Sequence, residues 1–330
     1  MYEQLWSILP VLLLILAAEF VNGWTDAPNA IATVVSTRVL SPYQAVVMAA
    51  VLNTLGAFSG TAVAATIGKG IVDPAIINTT TVAAAMVAIV IWSMTAYYMG
   101  GLPTSESHAL IAGLSGAGLA TAGPSVLLWD GWAKVLIGLT FSTFLGFFGG
   151  LGIMLVLFRI FHAHAPGRIR VLFGRLQVFS AAFMAFSHGS NDGQKFIGVF
   201  TLTLVLGGIL PEFEVPIWVI LLCATVMGIG TATGGWKIIR TMGIRLTKLE
   251  PIHGFSAETS AGLVIEAASR LGIPLSTTHT ISTSIMGVGS VQRFSAVRWG
   301  VAGEIVAAWL LTFPVCGLIA YLVASLAKLL

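Results

Sequence analysis

Residues 101–118 read GLPTSESHALIAGLSGAG, and residues 272–289 read GIPLSTTHTISTSIMGVG. Six of the eighteen aligned positions are identical, and the shared Pro, Ser and His occur in the same order. Matches of Gly alone would be weak, because Gly is frequent in apolar helices. The ordered match of Pro, Ser and His indicates an internal repeat. We therefore predict two homologous halves, residues 1–165 and 166–330.

A shorter polar motif supports the same division of the chain. Residues 22–29 read NGWTDAPN and residues 188–195 read HGSNDGQK, which places Asp26 and Asp192 at corresponding positions in apolar surroundings. The flanking Phe, Gly and Ile also match. Each predicted half therefore carries one copy of both polar motifs.

The composition predicts an all-α polytopic membrane protein. Hydrophobic residues make up 57% of the chain and charged residues 9%, whereas a soluble domain carries roughly 25% charged residues. So few charges cannot cover a surface that faces water, so we expect the lipid bilayer to surround the helices. The formal net charge of +3 is small, and we expect no nucleic-acid partner.

Several apolar segments are shorter than the ~20 residues that a helical crossing needs. They come in adjacent pairs or follow a Gly-Pro signal, which predicts broken or re-entrant helices around a cavity enclosed by protein. The apolar segments are 5–21, 25–37, 42–67, 76–99, 104–122, 133–161, 173–187, 191–209, 216–236, 255–270, 274–290 and 298–328. Each half crosses the membrane five times if two pairs of segments each form one crossing. These pairs are 5–21 with 25–37 and 173–187 with 191–209.

The distribution of Lys and Arg predicts the orientation. With five crossings per half, one side receives the loops near 38, 100–103, 159–175, 237–250 and 291–298, which hold most of the basic residues. We predict that this side is cytoplasmic, with both termini extracytoplasmic, in the plasma (inner) membrane. Because five is odd, the second half is inverted relative to the first. Inverted repeats whose broken helices meet at a midplane site are the architecture of secondary transporters.

The duplicated Pro-x-Ser motif predicts an anion site. Pro is favoured in the first turn of a helix, so Pro103 and Pro274 would each begin a half-helix inside the membrane. First-turn hydroxyls, unpaired N–H groups and the positive end of the helix dipole would then converge on one anion. The candidate ligands here are Ser105, Ser107, His108, Ser276, Thr277, Thr278 and His279. Helix packing or capping is the alternative for the hydroxyls, and a structural hydrogen bond is the alternative for the two histidines.

The paired aspartates predict a cation site. A charge at the centre of the bilayer costs on the order of 3 kcal/mol on insertion scales, and a bound ion is the usual compensation. A structural salt bridge or a helix cap is the alternative. The candidate coupling-cation ligands are Asp26, Asn29, Asp192, Thr25 and Glu258, with Asp26, Asn29 and Asp192 as a candidate Na+ site.

The two predicted sites depend on each other. An anion 4 Å from each aspartate would be repelled by about 4 kcal/mol per pair at an effective dielectric constant of 20. Bound cations or protons between them reverse the sign, so anion binding requires cation binding. Such coupling is reciprocal, and it predicts cotransport with Na+ or H+ as the coupling ion and no cofactor.

At these residues the chain resembles the inorganic phosphate transporter (PiT) family, in a form similar to its bacterial members. The resemblance covers essentially the whole chain: Gly-x-x-Asp at 23–26 and 189–192, HGSNDGQK, and the paired Pro-x-Ser-x-[Ser/Thr]-His motifs. It implies import of inorganic phosphate by cation symport, alternating access with a transport unit that moves beside a scaffold, and usually a homodimer. The typical family motif Gly-Ala-Asn-Asp-Val-Ala-Asn is altered at Thr25 and Pro28, and at Gln194 and Lys195.

Lys195 stands where Asn29 stands in the first half. We predict that its ammonium group either replaces one bound cation or contacts the anion, for which Asn191 and Gln194 are further candidate ligands. An ion pair with Asp192, or a side chain that reaches the lipid headgroups, is the alternative. Either prediction would make the two halves unequal in ion stoichiometry.

Other functions remain open at this point. A sulfate symporter of the same family is the nearest, but protonated phosphate also needs an acceptor, which Asp26, Asp192 and Glu258 supply. A membrane-embedded enzyme that acts on lipid phosphates would need a nucleophile–base pair and an entrance facing lipid. The two-fold repetition suits alternating access better, so we expect no enzyme. A passive anion channel would need no acids beside the anion site.

Overall fold

The computed structural model describes residues 2–26 and 28–329. In these ranges the chain is helical, and the sole β pairing is an isolated bridge between Val72 and Leu127. The prediction of an all-α chain is confirmed. The helices are α1 (Tyr2–Thr25), α2 (Pro28–Ser36), α3 (Pro42–Ala57), α4 (Ala62–Gly70), α5 (Thr79–Tyr98), α6 (Glu106–Ala122), α7 (Trp129–Phe161), α8 (Pro166–Leu206), α9 (Ile217–Thr233), α10 (Trp236–Arg240), α11 (Pro251–Arg270), α12 (Thr277–Ser290) and α13 (Trp299–Ala327).

The helices make this chain a multi-pass membrane protein. The stretches long and apolar enough to cross a bilayer are Glu3–Ser36, which joins α1 and α2, Thr79–Tyr98, Trp129–Phe161, Pro166–Leu206 and Trp299–Ala327. The pairs α3–α4 and α9–α10 reach the same length and apolarity together, but they bend by 70° and 61° at their breaks. These bends lie within the apolar segments 42–67 and 216–236, which were predicted as unbroken, and five crossings in each half stay a prediction.

The first polar motif interrupts its helix and the second does not. Helix α1 ends at Thr25 and α2 begins at Pro28, because proline has no N–H and its ring excludes the carbonyl group four residues earlier. Helix α8 continues from Pro166 to Leu206 through the motif at 188–195, where proline is absent. The predicted break between 173–187 and 191–209 is therefore wrong.

Helices α6 and α12 begin later than predicted. Ser105 is the N-cap of α6, and its hydroxyl oxygen accepts from the N–H of His108 at 3.3 Å. Ser276 caps α12 in the same way, accepting from the N–H of His279 at 3.2 Å. Because a capping hydroxyl satisfies a free N–H of the first turn, the helices start at these serines, after Pro103 and Pro274.

Helices of the two predicted halves interleave. Helix α6 packs on α13 and α12 on α7, while α1 packs on α9 and α3 on α8. These contacts are close: a Cβ on Gly116 would lie 2.1 Å from the carbonyl oxygen of Gly317, and one on Gly287 would lie 2.0 Å from that of Phe147. Small residues let helix backbones approach in lipid, where packing is a main source of association.

A polar layer crosses the interior and is followed best along α8. The buried apolar residues of α8 within 173–185 belong to one hydrophobic cluster, and those within 196–204 belong to another. Between them lie Ser187, His188, Asp192 and Lys195, with at most 1% of each side chain exposed. These polar residues therefore face protein rather than lipid.

The basic loops come together at one face. One cavity of about 700 Å³ is lined by Arg38, Arg170, Lys248 and Arg298, which come from four of the predicted basic regions. This grouping agrees with the predicted threading of those loops to a common side. Its assignment as the cytoplasmic side stays a prediction. The predicted position of the termini concerns Met1 and Leu330, which lie outside the described residues.

Candidate functional site

Two buried carboxylates, Asp26 and Asp192, lie together in the polar layer. The hydroxyl oxygen of Thr277, at the start of α12, is 2.9 Å from Asp192 Oδ2 and 3.4 Å from Asp26 Oδ2. One hydroxyl group therefore reaches both carboxylates, which are 1% and 0% exposed. Carboxylates this close and this buried are stable together only when one of them is protonated or positive charge lies beside them.

Asp26 is held by the first turn of α12 and by α2. The Thr278 hydroxyl is 2.7 Å from Asp26 Oδ1 and 3.0 Å from the carbonyl oxygen of Thr104. The Asn29 amide donates to Asp26 Oδ1 and to the Thr278 hydroxyl, the latter at 3.0 Å. Asn29 Oδ1 is buried and accepts no hydrogen bond from the described residues. Carboxylate, amide, hydroxyl and carbonyl oxygens are the ligand types that hard cations prefer.

Lys195 occupies the corresponding place in the second copy. Its Nζ donates to an Asp192 carboxylate oxygen and to the Ser107 hydroxyl, and it lies 3.1 Å from the carbonyl oxygen of Leu275. Ser107 donates to the same carbonyl oxygen at 2.8 Å. The ion pair with Asp192, which was the alternative to the predicted roles of this lysine, is present, and the side chain is 1% exposed. The lysine therefore does not reach the lipid headgroups.

Three contacts of the first copy have a counterpart in the second. In each copy the residue three positions after the aspartate contacts both that aspartate and a first-turn hydroxyl. That hydroxyl in turn approaches the carbonyl oxygen just before the N-cap of the other half-helix. The first set is Asn29, Asp26, Thr278 and Thr104, and the second is Lys195, Asp192, Ser107 and Leu275.

His188 is a site residue that the sequence reasoning missed. Its Nε2 is 3.3 Å from Asp192 Oδ2, and its Nδ1 is 3.2 Å from Asn53 Oδ1. One ligand atom from each of Asp26, His188 and Asp192 lies within 4.8 Å of the others. The spacing of four residues between His188 and Asp192 puts them on one face of a continuous helix. That signal was hidden by the predicted break in α8.

Thr25 is directed at a different acid from the one predicted. Its hydroxyl donates to Glu106 Oε1 at 3.0 Å, and the Ser93 hydroxyl donates to Glu106 Oε2 at 2.9 Å. Glu106 is 2% exposed and lies in the first turn of α6, where the helix dipole stabilises negative charge. Thr25 therefore supports this neighbouring carboxylate rather than Asp26 or Asp192.

Glu258 forms a cluster of its own. Its carboxylate accepts from Thr33 at 2.6 Å, from Gln177 at 3.0 Å and from Ser180. These partners lie on α2 and α8, and none of them was a predicted site residue. The structure thus gives Glu258 no hydrogen-bond partner in common with the two aspartates within the described ranges.

Asn191 and Gln194 are engaged in helix contacts. The Asn191 amide donates to the Ser269 hydroxyl at 3.0 Å and to the carbonyl oxygen of Ile273 at 3.3 Å. Gln194 Oε1 accepts from the N–H of Val63 at 3.0 Å, which satisfies a first-turn donor of α4. Both side chains therefore fasten α8 to its neighbours, and the Asn191 and Gln194 amides are not directed at the first turns of α6 and α12.

The two predicted histidines pack against each other within an aromatic group. The rings of His108 and His279 are 4.6 Å apart in T-shaped contact, and His279 stacks on Trp309 at 3.7 Å. Both ring nitrogens of His108 are buried and form no hydrogen bond with the residues that the structure describes. His279 Nδ1 lies 3.4 Å from the Thr143 hydroxyl. His279 Nδ1 thus has a hydrogen-bond partner, whereas His279 Nε2, like both His108 nitrogens, has none among the described residues.

Comparison with known proteins identifies one family over nearly the whole chain. Residues 22–320 match the family described as "Phosphate transporter family". A protein of Rhizobium meliloti (strain 1021) named "Probable low-affinity inorganic phosphate transporter" is 44% identical over 306 residues, 92% of this chain and 91% of its own. One of the same name from Bacillus subtilis (strain 168) is 39% identical over 327 residues, 97% and 98% of the two chains.

A solved structure has the same fold. The protein named "The sodium-dependent phosphate transporter" superposes with a TM-score of 0.90, over 98% of this chain and 100% of its own, at 24% sequence identity. At that identity the likeness concerns the fold.

Proposed function

This chain belongs to the phosphate transporter family, and we propose that it imports inorganic phosphate by symport with a cation, Na+ or H+. The observation that carries this proposal is the contact between first-turn hydroxyls of α12 and two buried aspartates. The Thr277 hydroxyl reaches both Asp26 and Asp192, and the Thr278 hydroxyl reaches Asp26. Anion donors and cation ligands are thus the same small group of atoms.

Competition for these hydroxyl protons links the two ions. A phosphate oxygen can accept from Thr277 or Thr278 only where the carboxylates give up those protons. An anion 4 Å from each carboxylate would also be repelled by about 4 kcal/mol per pair at an effective dielectric constant of 20. A cation on the aspartates removes both obstacles, because it takes the place of the hydroxyl protons and reverses the repulsion. Binding of either ion then favours binding of the other.

The proposed roles divide between the two kinds of ligand. Asp26, Asn29 and Asp192, with the carbonyl oxygen of Thr104, would hold the cation. Phosphate would bind to the hydroxyls and free N–H groups at the starts of α6 and α12, where the helix dipoles favour an anion. The hydroxyls come from Ser105, Ser107, Ser276, Thr277 and Thr278. The names of the curated bacterial relatives support phosphate as the substrate, and the name of the solved structure supports Na+ as the coupling ion.

Alternating access is proposed to use the two halves of the chain, residues 1–165 and 166–330, as inverted repeats. The three matching contacts around Asp26 and Asp192 support this relation, as do the bent pairs α3–α4 and α9–α10. Movement is proposed to be elevator-like, in a homodimer in the plasma membrane, with the basic face cytoplasmic and both termini outside. A mass of twice 34.6 kDa for the protein released from native membranes would support the dimer, and a monomer mass would contradict it.

The proposal is tested by radiolabelled phosphate uptake into proteoliposomes, with Na+ and pH gradients imposed separately. One of the two gradients should accelerate uptake, and arsenate, which has the charge and shape of phosphate, should compete better than sulfate. Protein-free liposomes provide the control. Phosphate uptake that is independent of every cation gradient would contradict the proposed symport. Equal competition by sulfate and arsenate would contradict the proposed preference for phosphate.

A further inference from the structure

We propose that the ammonium group of Lys195 is a permanently attached cation that takes the place of one transported cation. The protein would then move one positive charge fewer per phosphate than its own variant with Asn at position 195. The inference rests on the proposed cation symport, and it concerns the stoichiometry of that symport. It also selects one of the roles that the sequence left open for this lysine.

The oxygen atoms around Lys195 form a cation site. Nζ contacts a carboxylate oxygen of Asp192, the hydroxyl of Ser107 and the carbonyl oxygen of Leu275. An ammonium group has three N–H donors, so each donor has one protein acceptor. A direct contact with phosphate would cost one of these three bonds. The geometry therefore favours a charge that holds the site together over a ligand that reaches for the anion.

The first copy shows the same oxygen types around a neutral residue. Asn29 contacts the Asp26 carboxylate and the Thr278 hydroxyl, and that hydroxyl lies 3.0 Å from the carbonyl oxygen of Thr104. Within residues 2–26 and 28–329, Asp26 forms no ion pair with a lysine or arginine side chain. Asp26 therefore needs a positive charge from solution, while Asp192 has one attached to the same helix.

Because both side chains are buried, the charges of Lys195 and Asp192 must compensate each other. Lys195 is 1% exposed and Asp192 is 0% exposed, and removing one member of a buried pair leaves a costly isolated charge. Substitution of the lysine by a neutral residue therefore creates a demand for one cation at Asp192. A cation from solution is released with phosphate on the far side of the membrane, whereas an attached ammonium returns with the protein.

The first experiment measures the charge moved per phosphate. Wild type, Lys195→Asn and Lys134→Asn are reconstituted, and the reversal potential is measured at fixed phosphate and cation gradients. Lys134 is exposed near the start of α7, so its variant removes the same charge away from the site. We expect Lys195→Asn to move one more positive charge per phosphate, with a Hill coefficient for the coupling cation that rises by about one, and Lys134→Asn to match the wild type. An active Lys195→Asn variant with unchanged charge per phosphate would overturn the inference.

The second experiment tests the role of Lys195 by ion binding, which remains measurable if the variant does not transport phosphate. Purified, phosphate-free Lys195→Ala and wild type are titrated with Na+ and, separately, with methylammonium, and the melting temperature and the number of binding sites are recorded. The smaller side chain leaves room for a small cation, so Lys195→Ala should gain one saturable site and be stabilised by methylammonium, unlike the wild type. Equal site numbers in the two proteins and equal effects of methylammonium on their melting temperatures would overturn the inference.

The two proposals fail in different ways. Wild-type liposomes without cation-driven phosphate uptake would contradict the proposed function, and the titration of the purified proteins would still report on Lys195. Wild-type symport with equal charge per phosphate in an active Lys195→Asn variant would contradict the lysine inference alone.

Discussion

The Thr278 hydroxyl has one proton and two oxygen atoms within reach. Asp26 Oδ1 is 2.7 Å away and the Thr104 carbonyl oxygen is 3.0 Å away, so only one of them can receive a full hydrogen bond at a time. A cation at Asp26 would direct that proton away from the carboxylate. At the scale of single residues, the chemistry of the site therefore depends on which oxygen atom accepts the hydrogen bond of each hydroxyl group.

Thr278→Val tests this hydroxyl because the two side chains have nearly the same shape. The variant leaves one oxygen of the bound phosphate without its hydroxyl donor, which costs about 1–3 kcal/mol, or roughly 5- to 150-fold in apparent phosphate affinity. Phosphate uptake at several cation concentrations measures the change. Thr225→Val is the matched control, since Thr225 is exposed on α9 and donates to Leu221 of its own helix. Equal phosphate affinity in both variants would show that the Thr278 hydroxyl does not act on substrate.

Asp26→Asn tests the cation site directly. The amide carries no negative charge, so the variant should lose transport or transport phosphate without dependence on the cation gradient. Uptake with and without the gradient distinguishes these outcomes from normal symport. Asp130→Asn removes a carboxylate that is exposed at the start of α7 and should behave as wild type. Full coupled activity of Asp26→Asn would assign Asp26 a purely structural role.

At the scale of helices, glycines set the distance between α3 and α8. A Cβ on Gly189 would lie 2.0 Å from the carbonyl oxygen of Asn53, and one on Gly56 would lie 2.1 Å from that of Phe186. The polar motif at 188–195 therefore includes a glycine that packing requires, next to residues that serve the site. A change at Gly189 moves α8, and with it His188, Asp192 and Lys195.

Gly189→Ala should destabilise the protein through this contact. An added methyl group in a packed interior costs about 1–3 kcal/mol, so the melting temperature in detergent should fall. Gly152→Ala on α7 is the control, because a Cβ there meets no atom within 4 Å and alanine favours the helix. If both variants melt at the same temperature, the α3–α8 contact is less tight than the structure indicates.

The helix boundaries show which elements the sequence could predict. The break before Pro28 agrees with a local rule, because proline disfavours a continuous helix. The rule is not sufficient by itself, since α1 and α13 continue through Pro10 and Pro314. The continuity of α8 does not follow from local rules, since it depends on partners far along the chain. Ser190 donates to Glu266 and Asn191 donates to Ser269, and these contacts let a polar stretch remain helical. Contacts of this kind are visible only in the folded chain.

At the scale of the whole molecule, the repeat predicted which residues meet. Asp26 and Thr278 are 252 positions apart, and the matched motifs alone suggested that they belong to one site. The repeat could not predict departures from symmetry. Glu258 accepts from Thr33, Gln177 and Ser180, and Gln194 accepts from the start of α4. Each of these contacts depends on side chains that have no counterpart in the other motif.

A site shared between distant parts of the chain predicts reciprocal binding of its two ions. If a cation frees Thr277 and Thr278 for phosphate, it should raise the phosphate affinity by a factor of roughly 5 to 150, and phosphate should raise the cation affinity by the same factor. Phosphate dissociation constants of the purified protein at low and saturating cation, and cation constants with and without phosphate, measure both directions. The factor should persist in Asp130→Asn and fall to about one in Asp26→Asn, because only the second change removes the charge that attracts the cation. A phosphate affinity independent of every cation in the wild type would mean that the hydroxyls and carboxylates act separately, and the shared site would then not be the basis of coupling.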